Sequence, residues 1–312
     1  MTLSASVIIC THDRPGPLRR AADSALAQTR PPAELIVVND GDGEIDPAVP
    51  EAAAAAAVRF AAVRQGRPCL PASRNRGMAL ARGDVVMLLD DDMVLPRRFL
   101  ERLLALYEAD VAGDVAGIGA VAVEPARHGL GGRLWAAAWS LLDSERWLPR
   151  RCAARHVRLP AVLRSRLAPA RRLTGGTISL RADVAAAERF DEGLGGYALG
   201  EDREFCARVG ARRALFLCPS LHLVHEKAPA ARPLARRVGR MYVPNMLRIA
   251  AAAGGGAGTW LLMGVEIAGA AALHAAFVPL GDARAHLGFL AGMAAGAGDV
   301  VGRALRRMLC GC

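Results

Sequence analysis

Lysine and aromatic residues are scarce in this 312-residue chain. Lys227 is the only lysine among 40 basic residues, a preference that we interpret as a coding bias, and aromatic residues make up 4% of the chain. No segment alternates basic with aromatic residues, as surfaces that bind nucleic acid commonly do. We therefore expect no nucleic-acid partner. The formal net charge of +10 favours phosphorylated ligands or an anionic membrane face.

Cysteine pairs with the spacing of a metal or redox site are also missing. The seven cysteines are scattered, without a C-x-x-C pair or a zinc-finger pattern. The N-terminal segment has no basic region followed by a long apolar run, which a secretory signal would have. We expect a reducing, cytoplasmic compartment.

Apolar strands and amphipathic helices alternate through the first hundred residues. Buried runs at 6–10, 34–40, 58–63 and 84–90 are separated by polar loops and segments with helical spacing. This alternation is typical of an α/β fold with a mostly parallel central sheet flanked by helices. In such sheets ligands bind at the carboxyl ends of the strands, so the polar segments THD, NDGD and DDD should meet at one edge.

The rest of the chain is less regular. A strand is predicted at 117–125, a strand leading into a helix at 173–184, a glycine-rich loop leading into a helix at 190–209, and two short strands at 214–220 and 221–227. We expect residues 1–120 to form one half of a domain, residues 121–228 its second half, and residues 229–312 a helical tail, first basic and then apolar.

Three consecutive carboxylates follow the most apolar predicted strand: Asp90, Asp91 and Asp92. Adjacent negative charges repel one another unless a cation lies nearby, and one aspartate would suffice to cap the helix expected after Pro96. Mg²⁺ and Mn²⁺ prefer carboxylate oxygens and commonly bridge to substrate phosphates. The triplet therefore predicts a metal site.

Other polar residues near predicted strand ends allow two interpretations each. Asp40 lies in a glycine-containing turn, or it accepts hydrogen bonds from a nucleotide base or ribose. Arg74 and Arg76 lie on an exposed helix surface, or they clamp a diphosphate.

Two further groups are equally open. Glu201 and Asp202 complement the dipole of the helix that they begin, or one of them is a general base. His222 and His225 are structural, or one of them completes a metal site.

Taken in order, these segments resemble the family 2 glycosyltransferases with the GT-A fold. The resemblance extends from residue 4 to about residue 227 and rests on four segments. They are SVIICTHDRPGPLRRAADSALAQT, ELIVVNDGD, ASRNRGMALARGDVVMLLDDDMVLP, and LTGGTISLRADV followed by FDEGLGGYALGEDREFCARV.

The resemblance implies a role for each part of the site. Asp40 is expected to contact the nucleotide base or ribose, with Thr11 and Asp13 in the same pocket. Arg74 and Asn75 are expected near the ribose and diphosphate of the donor.

Asp90 to Asp92 are expected to hold Mn²⁺ or Mg²⁺ on the diphosphate, with Asp90 also near the donor. Asp91 is the first choice as direct ligand, and Asp92 is expected in the same metal site, although the family pattern D-x-D leaves the true ligands open. His225 is expected as an additional ligand or phosphate contact. Asp202, beside Glu201, is expected to be the general base.

The implied activity is an inverting transfer of a sugar from a nucleotide-sugar donor to a glycan or lipid-linked acceptor, in cell-envelope polysaccharide or glycolipid synthesis. Two alternatives stay open: a metal-dependent nucleotidyltransferase, and a non-catalytic nucleotide- or glycan-binding relative. The first is weakened because no glycine-rich loop ending in lysine follows the first strand.

The apolar tract at 260–280 approaches the length of a membrane span, but Glu266 and His274 interrupt it. We favour a packed or interfacial helical tail over a transmembrane helix. The arginines before the tract suit a peripheral position on the anionic inner face of the plasma membrane.

Overall fold

The structure, a computed structural model, describes residues 2–124, 130–142, 152–194, 198–226, 235–279 and 282–310. The chain divides into two compact units. Unit 1 consists of Met1–Pro125, Arg150–Gly196 and Glu201–Ala231. Unit 2 consists of Ala126–Pro149, Tyr197–Gly200 and Arg232–Cys312.

All described strands belong to one sheet in unit 1. They are β1 (Ala5–Thr11), β2 (Glu34–Asn39), β3 (Arg59–Arg64), β4 (Val85–Asp90), β5 (Met93–Val94), β6 (Gly117–Val123), β7 (Ala168–Pro169), β8 (Ile178–Arg181) and β9 (Leu215–His225). The strand order is β3-β2-β1-β4-β8-β6-β9-β5, with β7 paired to β9. Strands β1 to β4 are parallel, β8 is antiparallel to both of its neighbours, and β6 and β9 are parallel to each other. The predicted, largely parallel α/β sheet is therefore confirmed.

The described helices are α1 (Pro15–Leu26), α2 (Ala48–Ala55), α3 (Leu70–Leu80), α4 (Phe99–Ala109), α5 (Leu130–Leu142), α6 (Ala161–Arg164), α7 (Ala182–Ala187), α8 (Glu201–Val209), α9 (Ala235–Ala252), α10 (Ala257–Phe277) and α11 (Ala283–Cys310). Helices α5, α9, α10 and α11 belong to unit 2 and the others to unit 1.

Two apolar layers cover the faces of the sheet in unit 1. Strands β1, β2 and β4 consist mainly of buried, apolar residues, so both of their faces require cover. One layer packs α1, α2 and α4 against the sheet through residues such as Leu18, Val49 and Leu103. The other layer contains residues of α3, α7 and α8, such as Met78 and Phe205.

The two short strands expected at 214–220 and 221–227 form a single strand, β9. A proline inside a strand cannot donate to the ladder, so it is found at sheet edges and in bulges. Strand β9 pairs with β6, with Leu217 opposite Gly119 and His222 opposite Val121. The four residues of β9 between Leu217 and His222 therefore form a bulge opposite Ala120. Pro219 lies in this bulge, where the strand needs no ladder hydrogen bond from it.

Unit 2 is helical and has its own apolar core. Tyr242, Met246 and Ile249 of α9 pack with Met263 of α10 and Phe289 of α11. Among the described helices, α10 alone is long and apolar enough to cross a membrane, judged by length and composition.

Candidate active site

The carboxyl ends of β1, β2 and β4 meet at one edge of the sheet, as predicted. Thr11 of β1 lies opposite Asn39 of β2, and Cys10 lies opposite Asp90 of β4. The amide of Asp40 donates to the carbonyl of Thr11 at 3.0 Å, which keeps the loops after β1 and β2 together. This edge is the floor of the candidate site.

Asp91 is the most deeply buried member of the aspartate triplet, with 3% of its surface exposed. Its Oδ2 accepts a hydrogen bond of 2.6 Å from Thr11 Oγ1, and its Oδ1 accepts one of 2.7 Å from Arg14 Nη1. Burial raises the pKa of Asp91 to about 6, although the bonds from Thr11 and Arg14 act in the opposite direction. Each oxygen of Asp91 thus accepts a hydrogen bond, and its expected role as direct metal ligand stays a prediction.

Asp92 and His225 come together through backbone pairing. Strand β5 begins directly after Asp92, and its Met93 lies opposite His225 of β9. His225 Nε2 lies 3.3 Å from Asp92 Oδ1, and Arg14 Nη2 donates to Asp92 Oδ2 at 3.1 Å. Burial alone would raise the pKa of Asp92, but the hydrogen bonds from His225 and Arg14 lower it to about 2. The hydrogen bond to Asp92 raises the pKa of His225.

The donor set at this edge fits a divalent cation in part. Within the residues that the structure describes, no three histidine, cysteine, aspartate or glutamate side chains are grouped as a ligand set. The carboxylate of Asp92 and the imidazole of His225 are a suitable pair, and the side chain of Asp90, 33% exposed, lies at the same edge. Mg²⁺ commonly takes one or two carboxylates and completes its shell with substrate phosphates and water.

Arg74 of α3 is buried between two carboxylates. Its Nη2 donates to Asp90 Oδ1 at 2.9 Å and its Nη1 to Glu201 Oε1 at 2.5 Å. Gly176 lies close to this cluster, and a Cβ there would lie 2.4 Å from Asp90 Oδ2 and so displace this carboxylate. Burial raises the pKa of Glu201 to about 7 despite the neighbouring guanidinium. Arg74 thus joins the end of β4 to the start of α8, and its expected place near the ribose and diphosphate of the donor stays a prediction.

Asn75, the other residue expected near the donor, is tied to the segment that follows α7. Its Nδ2 donates to the carbonyl of Phe190 and to Glu192 Oε1, both at 3.0 Å, and its Oδ1 accepts from the Phe190 amide at 2.8 Å. Asn75 therefore fixes this segment beside Arg74, whose guanidinium lies 5.3 Å from the centre of the Phe190 ring.

Asp202 lies in the first turn of α8, beside Glu201. Three acidic residues in this turn, Glu201, Asp202 and Glu204, complement the helix dipole. Asp202 Oδ1 accepts from the amide of Arg203 at 2.8 Å, and its Oδ2 lies 3.4 Å from Arg172 Nη2. The side chain of Arg172 is well exposed, so this carboxylate lies beside an accessible cation.

Asp40 and Asp13 have different surroundings at the ends of β1 and β2. Asp40 Oδ2 accepts from the amide of Cys69 at 2.9 Å, and its Oδ1 lies 2.8 Å from Nδ1 of His12, whose side chain is 49% exposed. Asp13 instead accepts hydrogen bonds from the amides of Asp42 and Gly43 and from the side chain of Asn39. The bond from Asn39 lowers the pKa of Asp13. Asp13 thus holds the 41–43 loop in place.

Sequence reasoning did not single out Arg14, His12, Asn39 or Arg172. Arg14 and His12 belong to the same loop as the expected Thr11 and Asp13. The available signal was the positive charge of Arg14 close to a predicted acidic edge. Arg172 carried no comparable signal, because 30 residues separate it from Asp202.

A protein-family model matches the chain over residues 6–147, and it describes glycosyl transferase family 2. Over 103 residues the chain is 29% identical to the putative glycosyltransferase EpsH of Bacillus subtilis strain 168, a match that covers 33% of this chain and 30% of that protein. Over 109 residues it is 32% identical to the glucosyl-dolichyl phosphate glucuronosyltransferase of Haloferax volcanii, covering 34% of each. The matches span about a third of these relatives.

A solved structure agrees with the fold over most of the chain. The mannosyltransferase PcManGT from Pyrobaculum calidifontis, in complex with GDP-Man and Mn²⁺, superposes with a TM-score of 0.53. The match covers 96% of this chain and 88% of that one at 14% sequence identity. The likeness at this identity establishes the GT-A-like fold.

Proposed function

Since the chain contains a glycosyltransferase family 2 domain on a GT-A fold, we propose that it transfers a sugar from a nucleotide-sugar donor to an acceptor hydroxyl. The proposed acceptor is a glycan or a lipid-linked sugar of the cell envelope. The transfer inverts the configuration of the anomeric carbon, because one general base and no covalent intermediate are involved.

The donor side of the proposed site lies along the ends of β1, β2 and β4. Asp40 receives the base or ribose, with the exposed ring of His12 beside it. Asp92 and His225 hold Mn²⁺ or Mg²⁺, with Asp90 at the same edge. When bound, the cation offsets the charge of the diphosphate. We propose Asp92 ahead of Asp91 because Asp92 lies beside the imidazole of His225, a second suitable ligand, whereas Asp91 is the most deeply buried carboxylate of the triplet.

The acceptor side is the start of α8, where Asp202 acts as the general base. The acceptor oxygen attacks the anomeric carbon while its proton passes to the carboxylate of Asp202. The bond from the sugar to the diphosphate breaks, and its electron pair leaves with the nucleoside diphosphate. Arg172 donates to Asp202 and orients its carboxylate. We place the exposed side chain of Arg172 on the side from which the acceptor approaches.

The observation that carries this proposal is the position of Arg74 between Asp90 and Glu201. One buried guanidinium joins the strand end of the donor side to the helix that carries the base, one residue from Asp202. The residues of the donor side and of the acceptor side are therefore held at a fixed position relative to each other, as direct transfer between two bound substrates requires.

The proposal is tested with a panel of UDP-, GDP- and dTDP-sugars, each with and without Mn²⁺. We expect one donor to raise the melting temperature of the protein in the presence of Mn²⁺ and to release its nucleoside diphosphate when an acceptor is added. A metal-dependent nucleotidyltransferase would instead be stabilised by a nucleoside triphosphate and release pyrophosphate. Saturable nucleotide binding without turnover of any donor would indicate a binding protein. Either result would overturn the proposal.

A further inference from the structure

Helix α10 of unit 2 exposes apolar side chains, while its buried residues are Met263, Glu266, Ala270 and His274. Leu261 is 69% exposed, and Trp260 and Val265 are also exposed. Small residues extend this face toward the helix end: Gly264, Ala268, Ala272, Ala275 and Ala276. Glu266, the only charged residue of the helix, is 4% exposed. A surface helix of a water-soluble domain normally exposes polar residues. The exposed apolar face of α10 is therefore suited to an apolar partner.

The inward side of α10 is fixed by contacts within unit 2. The hydroxyl of Tyr242 on α9 donates to Glu266 Oε1 at 3.3 Å. His274 Nδ1 lies 3.0 Å from His286 Nδ1 on α11, and the ring of His274 stacks on Phe289 with 3.8 Å between ring centres. These polar contacts hold α10 in one rotation about its axis, so the apolar face stays outward.

Helices α9 and α11 form a close pair that supports α10. A Cβ on Gly292 would lie 2.2 Å from the carbonyl oxygen of Arg236, and one on Gly296 would lie 2.3 Å from that of Arg240. A Cβ on Gly239 would likewise lie 2.1 Å from the carbonyl oxygen of Phe289. Small residues four positions apart allow this approach. None of these close contacts between described residues involves the outer face of α10.

The charge of unit 2 indicates which kind of partner binds the outer face of α10. Its described residues carry nine arginines and three acidic residues. Of these acids, Glu266 is buried and Asp299 accepts from Arg240 at 2.8 Å. A second copy of this basic unit would be repelled, whereas anionic lipid headgroups would be attracted.

We propose that the outer face of α10, formed by Trp260, Leu261 and Val265 and the small residues after them, binds one leaflet of a membrane that contains anionic lipids. The helix lies in the interface, with arginines of the unit at the level of the headgroups. A spanning orientation is excluded by the neighbours of α10, because α9 carries Arg236, Arg237, Arg240 and Arg248 and such charges are costly inside the hydrocarbon region. This inference does not rest on the proposed sugar transfer.

The test is co-sedimentation of the full chain with vesicles of phosphatidylcholine, alone or mixed with phosphatidylglycerol. We expect binding to the anionic vesicles that weakens as salt rises from about 0.1 to about 0.5 M. Leu261→Glu and Val265→Gln should each weaken binding about tenfold or more, since each removes an apolar side chain from the interface. The matched control is Val111→Glu, at a position of unit 1 that is 93% exposed, and it should bind like the wild type.

The depth of α10 is measured by quenching of tryptophan fluorescence with brominated lipids. The part of the signal that Trp260→Phe removes should be quenched most by bromines close to the headgroups. Strongest quenching at the bilayer centre would overturn the interfacial orientation.

Two other results would overturn the lipid proposal itself. One is equal binding of Leu261→Glu, Val265→Gln and the wild type. The other is absence of vesicle binding at low salt, whatever the oligomeric state of the lipid-free protein. If that protein is also a dimer that Leu261→Glu dissociates, the outer face of α10 binds a second copy of the chain. No turnover is measured in these experiments, so their outcome is separate from the test of the donor.

Discussion

The guanidinium of Arg74 lies 2.5 Å from Glu201 Oε1 through one nitrogen and 2.9 Å from Asp90 Oδ1 through the other. Both contacts are made inside the protein, since Arg74 is almost fully buried. Only arginine can bridge two carboxylates in this way, because its planar fork presents several donors at fixed angles. This bridge joins β4 to α8, and its replacement should affect both stability and catalysis.

We expect Arg74→Lys to lower the free energy of unfolding by about 2 to 4 kcal/mol, since a buried carboxylate loses its partner. Turnover should fall as well, because Asp202 follows Glu201 on the displaced helix. Urea unfolding and donor turnover measure the two effects. Arg76→Lys is the matched control, since Arg76 lies on the same helix and is exposed. A wild-type profile for Arg74→Lys would refute the bridging role.

The sequence was sufficient to predict which residues lie at the edge of the sheet, but not which side chains contact one another there. Apolar runs ending in polar residues identified β1, β2 and β4, and their parallel pairing brings Thr11, Asn39 and Asp90 together. The arginine contacts were missed because they join distant segments: 77 residues separate Arg14 from Asp91, and 127 separate Arg74 from Glu201. Local periodicity contains no information on such pairs.

Glu201 should make the stability of the protein depend on pH. Burial raises its pKa to about 7 in the folded state, from an ordinary value of 4.5. The folded protein therefore retains a proton that the unfolded chain has released, and stability present below about pH 4.5 is lost as the pH rises to about 7. We expect the free energy of unfolding of Glu201→Gln to lack this decline, which amounts to about 1 to 3 kcal/mol between pH 5 and 7 in the wild type. The lost ion pair with Arg74 lowers the stability of the variant separately and does not restore the decline. Urea unfolding at three pH values measures the difference, and parallel curves would contradict the expectation.

The pair Asp92 and His225 should determine metal affinity. We expect Asp92→Asn and His225→Ala each to weaken Mn²⁺ binding by roughly tenfold or more, since each removes a proposed ligand. Electron paramagnetic resonance of free Mn²⁺, recorded in the presence of a nucleoside diphosphate, measures the affinity directly. His222→Ala is the control, because His222 is exposed on the same strand. Equal loss in the control would show a general effect on β9.

Arg14 should stabilise the aspartate triplet when no metal is bound. Its two nitrogens donate to Asp91 and Asp92. Arg14→Gln therefore removes the positive charge that offsets the repulsion between these two carboxylates. In EDTA we expect a loss of about 1 to 3 kcal/mol, part of which Mn²⁺ should restore. Thermal unfolding in EDTA and in Mn²⁺ measures both. Arg20→Gln, which removes an exposed ion pair with Glu226, should cost at most about 1 kcal/mol and show no such rescue.

Asp202→Asn tests the proposed base directly. Asparagine keeps the size of the side chain and the hydrogen bond from the Arg203 amide, but it cannot accept a proton at neutral pH. General-base catalysis contributes about 10² to 10⁴-fold, so the turnover number should fall by that factor while the donor still raises the melting temperature as it does for the wild type.

The companion variant Arg172→Gln leaves the carboxylate in place and removes the neighbouring cation. It should reduce turnover less than Asp202→Asn does, because the carboxylate that accepts the proton remains. If Asp202→Asn retained wild-type turnover, the base would have to be sought elsewhere on α8, with Glu201 as the first residue to replace.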